Sequence, residues 1–210
     1  MSGRFLTVEG IEGSGKSTLL AALAAHLAGR GERVVTTREP GGTALGNRLR
    51  AAFLEPGAAI DPVAEAFVVN ASRAQHVAEV IEPALATGTW VLCDRFAAAT
   101  LAYQGYGRGV DFATLRALAA IATRGREPDL TLLVDVPVAV SRERVAARAL
   151  AEQVPVDRLE REGGAFHERV RAGYLELAAA DPRFAIVDGT RSPIDVATSA
   201  LAVLRRYFDV

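Results

Sequence analysis

A glycine-rich stretch between an apolar run and a helical pattern constrains this chain more than any other feature of its sequence. Residues 10–18 are Gly-Ile-Glu-Gly-Ser-Gly-Lys-Ser-Thr; they follow the apolar run 5–8 and precede a Leu- and Ala-rich stretch. This order predicts a strand, a tight turn and a helix whose N-terminal backbone N–H groups surround an anion. The stretch therefore predicts a phosphate-binding loop, with a chance glycine turn as the alternative.

Two side chains of this loop have specific predicted roles. Lys16 is the only lysine among the 24 Lys and Arg residues of the chain. A compact ammonium group fits against the outer phosphates of a nucleotide, where a planar guanidinium does not. The Ser17 hydroxyl is expected to bind Mg²⁺. The predicted nucleotide-binding set is Gly10, Glu12, Gly13, Ser14, Gly15, Lys16, Ser17 and Thr18.

The composition limits the class of protein. With 210 residues, of which 50% are hydrophobic, the chain suits a single domain, 1–210, with a full core. A formal net charge of −1 provides no bulk attraction to nucleic acid. Cys93 is the only cysteine, so no internal disulfide is possible and a cytoplasmic setting is expected. We expect no membrane span and no signal peptide.

Five short apolar runs separated by helical patterns predict an α/β fold. The runs cover residues 4–9, 33–37, 90–94, 130–136 and 184–188. Helices are expected at residues 17–28, 43–54, 62–87, 111–123, 138–149, 157–180 and 193–208. Such alternation is typical of a parallel sheet flanked by helices. Trp90 and Cys93 are expected in the core, and His26, His76 and His167 are too scattered for a metal cluster.

Charged residues follow the ends of the predicted strands, where open parallel sheets place their sites. Asp94 and Arg95 end the third strand: the acid can hold Mg²⁺ and the guanidinium can hold a second phosphate, with a surface ion pair as the alternative. Asp135 ends the fourth strand and competes for the metal. Asp94 is preferred because Arg95 lies beside it.

Two further stretches have a plain structural alternative. Arg144 and Arg148 share one face of the predicted helix after the fourth strand. A solvated surface would show the same pattern, but the position directly after that strand favours a short helical lid at residues 142–157. Lid arginines in small P-loop kinases can accelerate phosphoryl transfer by on the order of 10³-fold. The glycine-rich stretch 103–109 is either a flexible loop or, through its tyrosines and Gln104, part of a base pocket.

Short motifs besides the phosphate loop occur in a fixed order over most of the chain. They are VEG at 8–10, TREPGGT at 37–43, SRAQH at 72–76, DRF at 94–96, AYQG at 102–105, GRG at 107–109, PDL at 128–130 and DRLE at 157–160. In this combination the chain resembles the bacterial thymidylate kinases. The resemblance implies transfer of the γ-phosphoryl group of ATP to dTMP with Mg²⁺, a homodimer, and a five-stranded parallel sheet of order 2-3-1-4-5.

The resemblance also implies roles for individual residues. Asp94 is at the metal, Glu12 approaches the 3′-hydroxyl of the acceptor, and Arg95 holds the acceptor phosphate. Because the phosphate loop itself lacks a basic residue at its variable positions, the catalytic arginine is expected from the lid: Arg148, helped by Arg144. In the acceptor site, Arg73 and Gln104 hydrogen-bond the thymine and Tyr103 discourages a 2′-hydroxyl. Around them the resemblance places Glu39, Pro40, Arg50, Val69 and Thr100.

The chain departs from the family pattern at three places. Val69 stands where a phenylalanine usually stacks on the thymine, so we expect weaker binding or a broader base preference unless Phe67 or another ring compensates. Ala99 stands where serine is common, and the lid contains an insertion at 151–156. Two alternatives stay open: another P-loop kinase with a different base preference, and a switch ATPase whose hydrolysis drives a partner interaction.

Overall fold

A five-stranded, all-parallel sheet in the order β2-β3-β1-β4-β5 forms the centre of the computed structural model, which describes residues 3–208. Its strands are β1 (Phe5–Glu9), β2 (Val34–Arg38), β3 (Trp90–Asp94), β4 (Leu130–Asp135) and β5 (Phe184–Asp188). The sheet order predicted from the resemblance is confirmed. Each predicted strand lies within one residue of the observed one. The three inner strands β1, β3 and β4 are buried almost throughout, which suits apolar runs covered on both faces, whereas the edge strands β2 and β5 are partly exposed.

The sheet is flanked by helices and by two segments of wider, π-helical turns. In chain order they are α1 (Lys16–Gly29), α2 (Ala44–Leu54), α3 (Pro62–His76), the first π segment (Val77–Ile81), α4 (Glu82–Ala86), α5 (Ala97–Thr100), the second π segment (Leu101–Gly107), α6 (Phe112–Thr123), α7 (Val138–Glu152), α8 (Gly164–Ala180) and α9 (Pro193–Phe208).

The core lies on both faces of the sheet, since successive strand residues point to opposite sides. Leu6 and Val8 of β1 belong to a buried cluster with α1 and α9, whereas Phe5 packs against Phe96 and the first π segment. Each buried Leu, Val or Phe stabilises the fold by about 1.5–3 kcal/mol. Cys93 is fully buried, as predicted.

Parallel register brings the carboxyl ends of three strands to one edge. Val8 of β1 pairs with Asp94 of β3, and Asp94 also pairs with Arg38 of β2. The chain therefore leaves β1, β2 and β3 at the same place, where residues 10–15, 39–43 and 95–96 follow.

Two predicted helices differ from the observed ones. The predicted helix 62–87 is helical from residue 62 to residue 86 but contains the first π segment; Pro83 lies two residues after that segment, and it has no N–H for the carbonyl one turn earlier. The predicted helix 157–180 begins only at Gly164, because Asp157 and Glu160 hydrogen-bond each other's backbone N–H groups in a separate turn.

The glycine-rich stretch 103–109 differs from one of its two interpretations, that of a flexible loop. It belongs mostly to the second π segment, which continues α5. Gly105 and Gly107 serve close packing there, since a Cβ atom would lie 2.6 Å from the ring of Phe112 at Gly105 and 2.7 Å from that of Phe166 at Gly107.

Candidate active site

A cavity of about 540 Å³ opens at the carboxyl ends of β1, β2 and β3. Most of the predicted site residues line it: Glu12, Gly13, Gly15, Lys16, Ser17, Thr18, Glu39, Pro40, Arg50, Val69, Arg73, Asp94, Arg95, Thr100, Tyr103, Gln104, Arg144 and Arg148. Gly10 and Ser14 do not line it. Ser14 instead lines a neighbouring recess of about 270 Å³, together with Gly189, Arg191 and again Arg144.

The phosphate-binding loop has the backbone that its glycines predict. Gly10 and Gly13 have φ of 139° and 68°, and a Cβ atom there would lie 2.4 Å from Val134 O and 2.6 Å from Ser141 O. No side chain fits at either position. Lys16 Nζ donates hydrogen bonds to Gly10 O at 3.0 Å and Ile11 O at 2.9 Å, and burial lowers its pKa to about 8. An anion beside this ammonium group would favour its charged form.

Asp94 and Ser17 have the chemistry that Mg²⁺ needs. Asp94 Oδ1 is buried and has no hydrogen-bond partner among residues 3–208, and the Ser17 hydroxyl lines the same cavity. Mg²⁺ usually takes one or two protein oxygens beside phosphate and water, so this pair fits it. The competing acid, Asp135, does not line the cavity; both its oxygens accept from Arg171, at 2.8 and 2.9 Å.

Arg95 points into the cavity from a strained backbone. Its φ is 69°, which costs a non-glycine residue about 1–2 kcal/mol. The turn is held because Arg95 N–H donates to Val8 O at 3.0 Å and Phe96 N–H donates to Glu9 Oε1 at 2.7 Å. Strain kept by such contacts is typical of functional sites.

The Arg95 guanidinium lies in a network of acids and tyrosines. It donates to Glu12 Oε1 at 2.8 Å and to the Tyr174 hydroxyl at 3.1 Å, and it lies over the ring of Tyr103. The Tyr103 hydroxyl donates to both carboxylate oxygens of Glu12 at 2.8 Å. Burial acts to raise the pKa of Glu12, but Arg95, Lys16 and the Tyr103 hydroxyl outweigh it, so the pKa is lowered and Glu12 is ionised.

Glu9 lies beneath this network and differs from Glu12 in its titration. The side chain is fully buried and accepts from Phe96 N–H and from the Tyr174 hydroxyl, the latter at 2.7 Å. Burial raises its pKa to about 7, although Arg95 and these two hydrogen bonds oppose the shift. Because it accepts the Phe96 N–H, Glu9 supports the strained turn at Arg95.

Arg73 lines the cavity with most of its donors already used. Its Nε donates to Glu39 Oε2 at 2.7 Å, its Nη1 to Asn70 Oδ1 at 2.9 Å, and its Nη2 to Phe96 O and Thr100 Oγ1. A guanidinium has five N–H groups, so these four bonds leave one, on Nη1. Arg73 is thus a fixed donor at the cavity wall.

Gln104 shows the opposite hydrogen-bonding character. Its Nε2 donates to Glu65 Oε2 at 2.9 Å, and its Oε1 accepts no hydrogen bond from residues 3–208. Because Gln104 lines the cavity, it offers an acceptor there beside the donor of Arg73.

Of the rings that could compensate for Val69, Phe67 lies outside the cavity. It is 58% exposed and does not line it. Phe53 and Phe96 line the cavity with Val69, and both are buried. Phe53 was missed because an apolar residue near the end of a helix has the same pattern whether it meets core or ligand.

The predicted lid arginines lie at the cavity, in different surroundings. Arg144 donates to Gly189 O at 2.9 Å and to Gly13 O at 3.4 Å, between the phosphate loop and the neighbouring recess. Arg148 pairs with Glu160, and its side chain is 42% exposed. Arg142 lines neither space. The insertion 151–156 extends α7 to Glu152 and is almost entirely exposed.

Sequence reasoning missed a charged cluster behind Gln104, formed by the buried Glu65 and Arg158 and the half-buried Arg108 and Glu162. Arg108 and Arg158 lie in motifs that carry the resemblance, but no role was derived for them. Glu65 belongs to α3 and is 93 residues from Arg158, so only the fold brings them together.

The sheet order, the phosphate loop, and a cavity holding Lys16, Asp94 and Arg95 together define a nucleoside monophosphate kinase of the P-loop class.

A sequence model of the family described as thymidylate kinase matches residues 8–200. Curated relatives with the description "Thymidylate kinase" are about half identical to this chain over nearly the full length of both. The relative from Carboxydothermus hydrogenoformans is 48% identical over 93% of this chain and 94% of its own length. Those from Desulfovibrio desulfuricans and Trichlorobacter lovleyi are each 50% identical, over 97% and 96% of this chain and 95% and 97% of their own lengths. The chain belongs to the thymidylate kinase family.

None of the helices within residues 3–208 is long and apolar enough to span a membrane.

Proposed function

We propose that this protein transfers the γ-phosphoryl group of ATP to dTMP, forming dTDP and ADP. One observation carries the proposal: a single cavity is lined by the phosphate loop, by Arg95, and by Arg73 and Gln104, which keep one donor and one acceptor respectively without a partner among residues 3–208. Such a cavity suits two phosphate groups in line and a base at the far end.

The donor and acceptor pair favours thymine over cytosine. Thymine presents an acceptor at O4 and a donor at N3–H, whereas cytosine presents an amino donor at N4 and an acceptor at N3. Arg73 complements the first and Gln104 the second. Adenine resembles cytosine in this respect. The proposal therefore rests on two hydrogen bonds that the disfavoured bases leave unmade, which is the effective way to reject an analogue.

The residues around the phosphates support direct transfer without a covalent enzyme intermediate. The acceptor oxygen belongs to a phosphate that is largely ionised at neutral pH, so positioning and charge neutralisation carry the reaction. Lys16 would hold the donor phosphates and Arg95 the acceptor phosphate, with Glu12 orienting Arg95. Asp94 and Ser17 would hold Mg²⁺, which neutralises phosphate charge when bound.

We further propose that residues 142–157 act as a lid. Arg144 already contacts the phosphate loop, whereas Arg148 is paired with Glu160 at the cavity wall. Arg148 would have to exchange Glu160 for the phosphoryl group, because the loop's own variable positions supply Glu12 and no cation. The neighbouring recess, between Arg144, Gly189 and Arg191, is suited to the base of the donor nucleotide.

We also propose a homodimer formed through α2, α3 and α6. Exposed apolar side chains lie on these packed helices: Leu45, Val63, Phe67 and Ile121. Burying such a face against a second copy removes apolar surface from water. Light scattering should show a dimer that Phe67→Glu turns into a monomer; a wild-type monomer would refute this.

We also propose a cytoplasmic setting, which rests on the single cysteine of the sequence.

Initial rates with ATP, Mg²⁺ and a panel of nucleoside monophosphates test the main proposal. We expect dTMP to react faster than dUMP, dCMP, CMP, AMP and GMP, and ADP formation to require an acceptor. The thymidylate assignment fails if dTMP has no advantage over the panel. Rapid ATP hydrolysis without an acceptor would favour the switch ATPase instead.

A further inference from the structure

Glu65 is a buried carboxylate that the proposed reaction does not use. It lies in the first turn of α3 and is fully buried. Arg158 Nη1 donates to its Oε1 at 2.6 Å, and Arg108 Nη2 lies 3.1 Å from the same oxygen. Gln104 Nε2 donates to its Oε2 at 2.9 Å. A buried carboxylate with three donor side chains is a built arrangement, because such a group is costly unless its oxygens are satisfied.

The contact between Glu65 and Gln104 determines which way the amide faces. A carboxylate has only acceptor atoms, whereas an amide has a donor end and an acceptor end. The amide must therefore turn its NH₂ group toward Glu65. Its oxygen is left at the cavity side, where no group of residues 3–208 donates to it.

We infer that Glu65 is a positioning residue that fixes Gln104 as a hydrogen-bond acceptor and thereby sets the preference for thymine over cytosine. The inference rests on the proposed function, in which Gln104 meets the base. With the amide fixed, N3–H of thymine finds an acceptor and N3 of cytosine does not. With the amide free to reverse, Gln104 would donate to cytosine N3 instead.

The charge of Glu65 is what makes this selection. A glutamine at position 65 would keep nearly the same shape, but its oxygen would stay with the donors of Arg158 and Arg108 and its NH₂ group would face Gln104. Gln104 would then turn its oxygen toward position 65 and its NH₂ group toward the cavity, so the cavity would offer a donor to cytosine N3 in place of an acceptor for thymine N3–H. Arg108 and Arg158 hold the carboxylate in place, and both also bind other groups: Glu162 and the Phe53 carbonyl, respectively.

The test is Glu65→Gln, assayed as kcat/KM with dTMP, dCMP and dUMP. We expect the ratio of dTMP to dCMP to fall about tenfold or more, the range over which one hydrogen-bond pair discriminates bases. The variant should act on kcat/KM mainly through the KM values, while kcat for dTMP is largely kept. The ratio of dTMP to dUMP should stay unchanged, because thymine and uracil share the same hydrogen-bonding edge. If Glu65 had only a structural role, the variant would lower kcat/KM for all three substrates by a similar factor.

Arg108→Gln is the matched control. It removes the longer contacts of Arg108 with both oxygens of Glu65, at 3.1 and 3.4 Å. Arg158 Nη1 still holds Oε1 at 2.6 Å and Gln104 still donates to Oε2, so the ratio of dTMP to dCMP should not change. If Glu65→Gln does not fold, Glu65→Asp decides: it keeps the charge but withdraws the oxygens from Gln104, and the ratio should fall several-fold. An unchanged ratio in whichever variant folds overturns the inference. A wild-type enzyme without preference for dTMP would instead overturn the proposed function.

Discussion

Replacing Arg148 with alanine separates the chemical role of the lid from its contribution to stability. In the structure Arg148 makes one ion pair, with Glu160, and its side chain is 42% exposed. Exposed pairs of this kind contribute about 0–1 kcal/mol, so the variant should unfold at nearly the wild-type temperature. Arg144 keeps its contacts with Gly13 and Gly189, so the binding of ATP should also change little.

The expected loss lies in the rate of phosphoryl transfer. An arginine that neutralises the transferred phosphoryl group is worth on the order of 10³-fold in kcat, which corresponds to about 4 kcal/mol of transition-state stabilisation. This loss is several times the largest expected loss of stability. The two effects can therefore be distinguished in one variant.

Single-turnover kinetics, ATP titration and thermal unfolding of Arg148→Ala provide the three measurements. Arg142→Ala is the matched control, because Arg142 lies on the same helix but lines neither the cavity nor the recess. It should keep the wild-type rate. A rate for Arg148→Ala within about threefold of wild type would refute the lid assignment, since the proposed role requires about 10³-fold.

Three further predictions follow from the other parts of the site. Val69→Phe should lower the KM for dTMP by about 5- to 160-fold, because a stacked ring contributes about 1–3 kcal/mol; an unchanged KM would show that Phe53 or Phe96 already stacks on the base. Burial raises the pKa of the Glu9 carboxyl to about 7, so its contribution to stability is present at low pH and lost as pH rises. The free energy of unfolding of Glu9→Gln, measured with urea in metal-free buffer, should therefore rise relative to that of wild type by up to about 3 kcal/mol between about pH 5 and pH 8. A difference that stays constant with pH would contradict the raised pKa. Lys16, with its pKa lowered to about 8, should react with an amine-selective reagent at mildly alkaline pH, and ATP with Mg²⁺ should protect it; peptide mapping that finds equal labelling with and without nucleotide would contradict its place at the phosphates.

The sheet could be predicted because its information is local. Each strand is a short run rich in apolar and β-branched residues, and Gly31, Gly88 and Gly125, all at positive φ, mark the turns that precede three of them. The phosphate loop was equally visible, since its glycines and Lys16 act within nine residues of one another. The family prediction, which used motifs along most of the chain, is confirmed by the relatives.

The rest of the site depends on contacts between distant residues, which a pattern along the chain does not contain. Arg95 meets Tyr174 across 79 positions, and Arg158 meets Glu65 across 93. The second π segment was missed because Gly105 and Gly107 have the composition of a loop, whereas their function is to admit the rings of Phe112 and Phe166. The roles of the individual site residues stay predictions.

The cavity is proposed to hold ATP and dTMP together for direct transfer. The decisive measurement follows the label of ATP carrying a radioactive γ-phosphate, with enzyme in excess over nucleotide and dTMP present. Direct transfer predicts that the label appears in dTDP in a single phase, with none on the protein and little as inorganic phosphate. Label on the protein, or label released as inorganic phosphate while dTMP remains unchanged, would contradict it.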